Sequence, residues 1–532
     1  MRIHPYLRCA GRLGLLPLIC LALRAAGAGS ATWNANPTNN DWNTAANWTP
    51  NTVPNGPSDV ATFGASSVTA VSFSADLIEV DRIIFSPGAS SYTITSGDYD
   101  ADLLISGAGV INNSGVMQIF GNENTSVAFN FAGPGATVGN LVTFHGGFYF
   151  STGASAGHGI FIPSGLVSVF LDFYNDGTNA GKGTFHIKDA GDLIFDDYSS
   201  AADSVFTVEG FLEFDQDSSA GNATITVNPA ACIFCGVVQF DRRSTAANST
   251  LIANGGTNGE DGGKIQFLND ATGGTAKVKL FGNGNLDLSA PHPIVVTIGS
   301  LEGDGIVFLG ERELSIGSNS LSTLFSGTIQ DGGEFGGSGG RVRKIGTGTL
   351  TLTGANTYTG NTTVTEGTLV VANGAGSATG TGAVQVDSGT LSGSGIIAGA
   401  VTVGTGSGTG SFLAPAAGTT IQTRLTIQSA VTLNSDASYT YTFKANTKHA
   451  RTDLVVANGV TINGATLAIN ATTQGQMKLG LVLNVISNTS ANPVSGTFSN
   501  LPDGAIVTVN GNNLQASYEG GDGNDFTLTV VP

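Results

Sequence analysis

Short apolar runs separated by turn-forming polar residues recur along most of the chain, and many of these runs end in Phe. The final Phe residues of successive runs lie 19 to 41 positions apart, a spacing typical of solenoid repeats. Alternation of apolar and polar residues within a run predicts a β-strand with one buried face, and no helical period persists between 29 and 532. The runs are Val60–Phe63, Arg82–Phe85, Met117–Phe120, Leu141–Phe144, Leu171–Phe173, Leu193–Phe195, Leu212–Phe214, Val238–Phe240, Ile265–Phe267 and Ile306–Phe308.

This pattern predicts a parallel β-helix, in which equivalent positions of successive coils stack about 4.8 Å apart. We therefore expect the Phe residues to form one internal aromatic ladder. The alternative is that Phe is simply common in strands, so that the rings lie on unrelated faces.

The composition narrows the class of protein. The chain has 532 residues with 77 Gly, and its 21 Lys+Arg against 39 Asp+Glu leave a net charge of −18. An acidic protein is a poor nucleic-acid binder, because neutralising phosphates requires a basic surface. After the N-terminus no further run of about 18 apolar residues occurs, so we expect no transmembrane segment in the mature chain.

Residues 1–28 have the pattern of a secretory signal peptide. Three Arg residues accompany the apolar stretch Leu13–Leu23, and Ala26–Ala28 provides a small-x-small cleavage pattern. We expect export through the Sec machinery and a mature chain with 17 basic and 39 acidic residues, a net charge of −22. Cys232 and Cys235 remain in that chain, where they fit a local disulfide or buried thiols, with redox chemistry as the alternative.

From about 297 the chain becomes rich in Gly, Thr, Ser and Val. Its most regular segment, Lys344–Leu369, contains the alternating run Gly-Thr-Leu-Thr-Leu-Thr-Gly, in which we expect Thr to face water and Leu to face the core. This segment resembles the autotransporter-associated β-strand repeat, also called the passenger-associated transport repeat. The resemblance covers roughly 297–532, because similar surroundings are found at Gly299–Gly310, Thr452–Val456, Gly496–Phe498 and Tyr518–Asp525.

The resemblance implies a secreted, right-handed parallel β-helix and implies no catalytic residue. Together with the spaced runs, it predicts an all-β solenoid forming a single elongated domain. We expect neither a C-terminal membrane barrel nor a sortase-like tail, which leaves the mode of attachment to a cell open. The predicted organisation is a signal peptide at 1–28, a Trp-rich N-terminal cap at 29–64, Phe/Asp-rich coils at 65–296, Gly/Thr-rich repeats at 297–430, and C-terminal coils with terminal strands at 431–532.

Acidic residues are concentrated between 172 and 217. Asp196, Asp215 and Asp241 each follow a Phe of the predicted ladder, so stacking would bring their carboxylates near one another. Glu213 and Asp217 flank Asp215 at alternate positions, which predicts that these three share one strand face. Two interpretations stay open: a solvated acidic face, or a column bridged by calcium, which takes six to eight oxygen ligands. We count no residue as a metal ligand.

Trp33, Trp42 and Trp48 lie close together near the N-terminus and have no counterpart later in the chain. We favour a role as a cap, because the open end of a solenoid exposes apolar core and unpaired strand groups. The alternative is a platform on which sugar rings stack.

Short motifs resemble polygalacturonase elements only superficially. They are Gly157–Gly159, Phe195–Asp197 and Arg341–Lys344; in that family the Asp pair precedes the His motif, whereas here it follows. The five His residues after the signal peptide are scattered, and no nucleophile elbow occurs. Gly520–Asp525 resembles a calcium-binding nonapeptide present in a single copy, so we favour a turn before the final strand, Phe526–Val531.

The sequence therefore predicts an exported structural or adhesive β-helical protein of the cell surface, without catalytic activity and without a cofactor. The expected partners are surface glycans or other cells. The alternative is a carbohydrate-active enzyme, a polysaccharide lyase or hydrolase, built on the same coil. A smooth Thr/Asn/Ser face favours the first function, and a groove with converging carboxylates beside a basic residue favours the second.

Overall fold

The computed structural model describes residues 29–96, 102–122, 128–162, 170–174, 177–188, 191–230, 236–257, 259–292, 294–416 and 423–532. These residues form an all-β protein whose only helix is one 3-10 turn, Ala45–Asn47. The predicted signal peptide at 1–28, together with Cys232 and Cys235, lies outside the described residues. Within the described ranges, no helix has the length and apolar character needed to span a membrane.

The strands belong to four sheets in which parallel pairing dominates. The first sheet contains, in pairing order, Trp48–Thr49, Ala31–Trp33, Gly56–Phe63, Leu77–Phe85, Asp102–Asn112, Ala128–Phe131, Gly147–Ser151, Phe170–Tyr174, Asp192–Phe195, Phe211–Phe214, Val237–Phe240, Lys264–Phe267, Asn285–Asp287, Ile306–Phe308 and Thr328–Gln330, with Thr137–Val138 attached to Asp102–Asn112.

In the second sheet, too, most strands pair with each other in the order in which they occur along the chain. Its strands are Ala70–Phe73, Thr93–Ser96, Gln118–Phe120, Val142–His145, Ile160–Ile162, Thr184–Ile187, Val205–Val208, Thr224–Val227, Thr250–Ala253, Lys277–Leu280, Ser300–Gly303, Thr323–Phe325, Thr349–Leu352, Thr368–Val371, Gly389–Gly393, Ser411–Leu413, Ala437–Asn446 and Thr466–Gln474, with Ala450–Thr452 antiparallel to Ala437–Asn446.

Two shorter sheets belong to the C-terminal half. The third contains Val295–Ile298, Glu313–Ile316, Arg341–Lys344, Thr362–Val364, Val384–Val386, Val401–Val403, Val431–Leu433, Val460–Asn463 and Ser495–Thr497. The fourth contains Ile396–Ile397, Arg424–Ile427, Leu454–Ala457, Val482–Asn488, Asp525–Val531, Asn512–Gly520 and Ile506–Val509, the last three joined by antiparallel pairing.

Equivalent residues of successive units pair with each other in register. Phe195 pairs with Phe214, which pairs in turn with Phe240, and Ile225 pairs with Leu251 on the second sheet. This is the pairing that the predicted β-helix requires. Between the two sheets, single parallel bridges join a column of small polar residues: Thr137, Ser155, Asn179, Ser200, Ser219, Thr245 and Thr272.

The Phe residues stack in two ladders rather than in the one ladder expected. Rings of the first ladder, on the first sheet, have centroids 4.5–4.9 Å apart and are within 12° of parallel. Rings of the second ladder, on the second sheet, are 4.7–5.3 Å apart. The first ladder comprises Phe131, Phe150, Phe173, Phe195, Phe214, Phe240 and Phe267, and the second Phe120, Phe144, Phe161, Phe185 and Phe206.

Five residues of the predicted ladder therefore lie outside the first ladder. Phe63 and Phe85 pair on the first sheet and stack only on each other among the first-sheet Phe residues, with centroids 5.3 Å apart. Phe120 and Phe144 pair with each other on the second sheet. Phe308 is only half-buried, because Val307 takes the inward position of its strand. The sequence pattern places Phe120 and Phe144 in the same ladder as the others because spacing along the chain does not distinguish two sheets that each receive one strand from every unit.

Candidate interaction surface

The acidic column consists of Asp196, Asp215 and Asp241, which lie in the turns directly after Phe residues of the first ladder. Each carboxylate of Asp196, Asp215 and Asp241 accepts a hydrogen bond from the next backbone N–H, at 2.7, 2.6 and 2.6 Å respectively. The residue that donates has a left-handed backbone, with φ between 48° and 53°. These Asp residues therefore stabilise the turn that sends the chain from one sheet to the next.

Two arginines of the next unit offset negative charge in and beside the acidic column. Arg242 Nη1 lies 2.8 Å from Asp215 Oδ2, and the Arg243 guanidinium donates to both oxygens of Asp217, at 2.8 and 2.5 Å. Burial raises the pKa of Asp215, and the neighbouring Asp196 and Asp241 act in the same direction. The hydrogen bond from Arg243 lowers the pKa of Asp217. Stacking thus brings the carboxylates close enough to interact, as expected, and Arg242 pairs with one of them.

The prediction that Glu213, Asp215 and Asp217 share a strand face is wrong. The strand ends at Phe214, and the left-handed backbone of Gln216 turns the chain away. Glu213 alone projects from the strand, where it is largely buried and accepts a hydrogen bond from the Gln239 amide at 2.9 Å. Over the described ranges, no three His, Cys, Asp or Glu side chains are grouped closely enough to hold one metal ion.

A row of hydrogen-bonded polar side chains follows the next turn along the chain. The Asn222 amide donates to Asp203 at 3.0 Å, the Asn248 amide donates to Asn222 at 3.3 Å, and the Thr275 hydroxyl donates to Asn248 at 2.5 Å. We call Asp203, Asn222, Asn248 and Thr275 the polar ladder. It presents amide and hydroxyl groups at the repeat spacing of the fold, about 4.8 Å, and it is exposed to solvent.

The three Trp side chains are buried, each at most 2% exposed. Their rings meet edge to face, with Trp33 and Trp42 each about 5 Å from Trp48. All three also pack on Phe63. The indole N–H groups donate to the backbone carbonyls of Val68, Pro54 and Trp42. Buried in this way, the rings offer no face on which a sugar could stack.

The motifs that resemble polygalacturonase elements lie in different turns. Asp196 and Asp197 follow the first-sheet strand, whereas His158 lies beyond the bridge residue Ser155, in the turn before the second sheet. Arg343, far along the chain, forms an ion pair with Glu313 at 2.6 Å. The structure does not bring these motifs together.

The glycine-rich segment near the C-terminus is a hairpin turn, as favoured from the sequence. Gly520 pairs with Asp525 across antiparallel strands, and the Gly523 N–H donates to the Gly520 carbonyl at 2.9 Å. The Asp525 carboxylate accepts a hydrogen bond from the Asn488 N–H at 2.8 Å. That carboxylate therefore connects neighbouring strands of the fourth sheet.

A second carboxylate, Asp436, holds a glycine-rich loop. It accepts hydrogen bonds from the backbone N–H groups of Thr405, Gly406 and Gly408, at 2.9, 2.7 and 3.0 Å. Desolvation alone would raise the pKa of Asp436, but these hydrogen bonds outweigh it and lower the pKa to about 2.

The regular Gly/Thr segment forms four strands, two in each of the second and third sheets. In Thr349–Leu352 the Leu side chains are buried and the Thr side chains face outward. Thr362 is an exception, because it takes an inward position of its strand and is fully buried. Arg341–Lys344 ends in a buried lysine, 1% exposed, whose Nζ donates to the carbonyls of Ile345 and Gly346 at 2.6 Å and of Glu366 at 3.2 Å. Burial lowers the pKa of this lysine to about 8, opposed by the Glu366 carboxylate.

Glycine makes this arrangement possible. Gly346 and Gly367 both have left-handed backbones, with φ of 66° and 68°, and a side chain at either position would collide with the carbonyl oxygen of an earlier turn. The ammonium group of Lys344 thus holds two successive turns together.

Residues 342–371 match the passenger-associated-transport-repeat. The match confirms the resemblance drawn from the sequence, and this repeat indicates an exported protein of passenger type. No curated protein matches the chain.

Two features of the structure, one buried and one exposed, do not follow from the sequence pattern. The residue type of Lys344 suggests exposure, and only the glycines at 346 and 367 hint that carbonyl groups close around it. The second feature is the antiparallel pair Lys444 and Arg451 near the C-terminus. Its sequence signal is the lack of acidic residues between Asp436 and Asp453.

Proposed function

We propose that the mature chain is an exported structural or adhesive protein without catalytic activity, built as one right-handed parallel β-helix. The passenger-associated repeat supports export, and the in-register parallel pairing supports the helix. The observation that carries the adhesive function is the polar ladder, because it repeats amide and hydroxyl groups at a fixed spacing along one side of the chain.

A surface of this kind binds through many weak contacts. Each exposed hydrogen bond contributes little, since water competes for the same groups, but a polymer that spans several units makes many such contacts at once. Glycans on a cell surface offer repeated hydroxyl groups, which suit such a row. In this proposal the N-terminal Trp cluster closes the end of the helix.

One experiment separates this function from the enzyme alternative. The purified protein is incubated with a panel of neutral and acidic polysaccharides, and the solution is assayed for unsaturated or reducing ends while binding is followed by retention on the immobilised polymers. We expect retention without new chain ends. Release of chain ends above the level seen with heat-denatured protein would refute the absence of catalysis, and failure to bind any glycan or cell would refute adhesion.

A further inference from the structure

A basic face lies at the C-terminal end of the second sheet. Lys444 and Arg451 are directly opposite each other in the antiparallel pair formed by Ala437–Asn446 and Ala450–Thr452. Paired residues of an antiparallel ladder project to the same side, and both side chains are exposed. Lys448 is exposed in the turn between the two strands. We call Lys444, Lys448 and Arg451 the basic face.

Like charges directly opposite one another destabilise a sheet, so this pair needs an explanation. Within the described residues, the side chains of the basic face form no ion pair, whereas Arg82, Arg242, Arg243, Lys264, Lys279 and Arg343 all do. The strands that carry the face and the strand Thr466–Gln474 beside it contain no acidic residue. The next acid along the chain, Asp453, is fully buried.

The basic face is therefore a local excess of positive charge on a chain whose net charge is −18. The inward residues of the same strand, Tyr439, Tyr441 and Phe443, are buried, and the Tyr439 hydroxyl donates to the Val485 carbonyl at 3.0 Å. These contacts hold the strand in place, so the like charges are not free to move apart by bending the backbone.

The neighbouring outward side chains are uncharged hydrogen-bonding groups. Thr472 pairs in register with Lys444, and Asn470 and Gln474 lie two residues to either side of it, all three exposed. This part of the face contains no large apolar side chain that would enter a lipid bilayer. It suits a ligand that alternates negative charge with hydroxyl groups.

We propose that the basic face binds an acidic polysaccharide, with Lys444, Lys448 and Arg451 pairing with its carboxylates and Thr472, Asn470 and Gln474 hydrogen-bonding its hydroxyl groups. The proposal deepens the adhesive function and rests on it. Binding by a few exposed charges is weak and falls with rising salt.

The test compares two double variants that remove the same charge. Lys444→Gln with Arg451→Gln removes the opposed pair, and Lys188→Gln with Lys277→Gln removes two exposed lysines elsewhere. Affinity for polygalacturonate and for neutral dextran is measured by affinity electrophoresis at low and at physiological salt. We expect the first variant to lose affinity for polygalacturonate about tenfold, from two exposed ion pairs, and the control to change less than about twofold by the same reasoning.

The outcomes separate the two proposals. If the Lys444/Arg451 variant binds polygalacturonate as well as the wild type does, the proposal for the basic face is overturned and the adhesive function stands. The same conclusion follows if the wild-type protein binds only neutral glycans or cells. Binding to phosphatidylglycerol vesicles but not to polygalacturonate also overturns the assignment, in favour of a lipid phosphate. Cleavage of the bound polymer refutes the non-catalytic function and leaves the basic face standing. Melting curves of both variants establish that they fold, and relief of the like-charge pair is expected to raise the melting temperature of the first.

Discussion

Substitution of Phe214 tests whether the aromatic ladders hold the units together. The ring is fully buried and lies between Phe195, at 4.8 Å, and Phe240, at 4.9 Å, nearly parallel to both. Truncation to Ala removes the burial of the ring and leaves a cavity between two neighbours that cannot close it, a cost of about 3–5 kcal/mol. Truncation to Leu keeps most of the apolar burial and loses the two stacking contacts, which are worth about 0.5–1.5 kcal/mol each.

The assay must be local, because long repeat arrays do not unfold as a single two-state unit. Tryptophan fluorescence reports only on the N-terminal cluster, where all three Trp residues lie. We therefore propose native-state hydrogen exchange read by mass spectrometry on peptides covering 192–240. Both variants are expected to lose protection there, Phe214→Ala more than Phe214→Leu, with no change in peptides covering 31–63.

Phe308 supplies the matched control, since it is also a strand Phe of the first sheet but is half-buried and outside both ladders. Phe308→Ala should cost clearly less than Phe214→Ala. Equal losses of protection for the two alanine variants, or no loss for Phe214→Leu, would show that stacking within the ladder adds nothing to ordinary apolar burial.

Three further predictions concern charge and the N-terminal cluster. Asp436 has a pKa lowered to about 2, so its contribution to stability is complete above its unfolded pKa of about 3.9 and is lost as the pH falls towards 2; the protection of the amides at 404–410, measured relative to their intrinsic exchange rate at each pH, should fall over that range, and an Asp436→Asn variant that shows the same fall would contradict this. Lys344 has a pKa lowered to about 8, so the free energy of local unfolding around 341–371 should increase between pH 8 and about 10.4, where the unfolded segment binds more protons; Lys344→Met should abolish the matching gain in resistance of 341–371 to limited proteolysis, and its persistence would exclude Lys344 as the source. Trp42→Ala should cost about 3–5 kcal/mol and expose 31–63 to proteolysis while leaving 192–240 protected; uniform digestion along the chain would argue against a local cap.

The strands and their inward faces were predictable because both depend on short-range alternation. In Thr224–Val227 and Thr349–Leu352 the buried positions are the ones that alternation selects. The stacking of the Asp column was also predictable, since each Asp follows a Phe at the same position of its unit. The passenger-associated repeat was recognisable because it is the most regular segment of the chain.

Contacts between units could not be predicted in the same way. Arg242 and Arg243 reach carboxylates 26 or 27 residues earlier, and that pairing depends on the exact register of two units. The burial of Lys344 depends on three carbonyl groups that converge only after the turns are folded. The opposition of Lys444 and Arg451 arises from an antiparallel pair within a largely parallel sheet, which no repeat period reveals.

The register of the pairing also bears on how such a chain changes length. Residues 196–214 form one complete unit, because Phe195 pairs with Phe214 and Thr184–Ile187 and Thr224–Val227 both pair with the strand between them, Val205–Val208. Deleting these residues joins Phe195 to Asp215, which places an Asp after a ladder Phe as before. Unequal recombination at equivalent positions can therefore add or remove a unit without altering the rest, and each event changes the reach of the stack by about 4.8 Å.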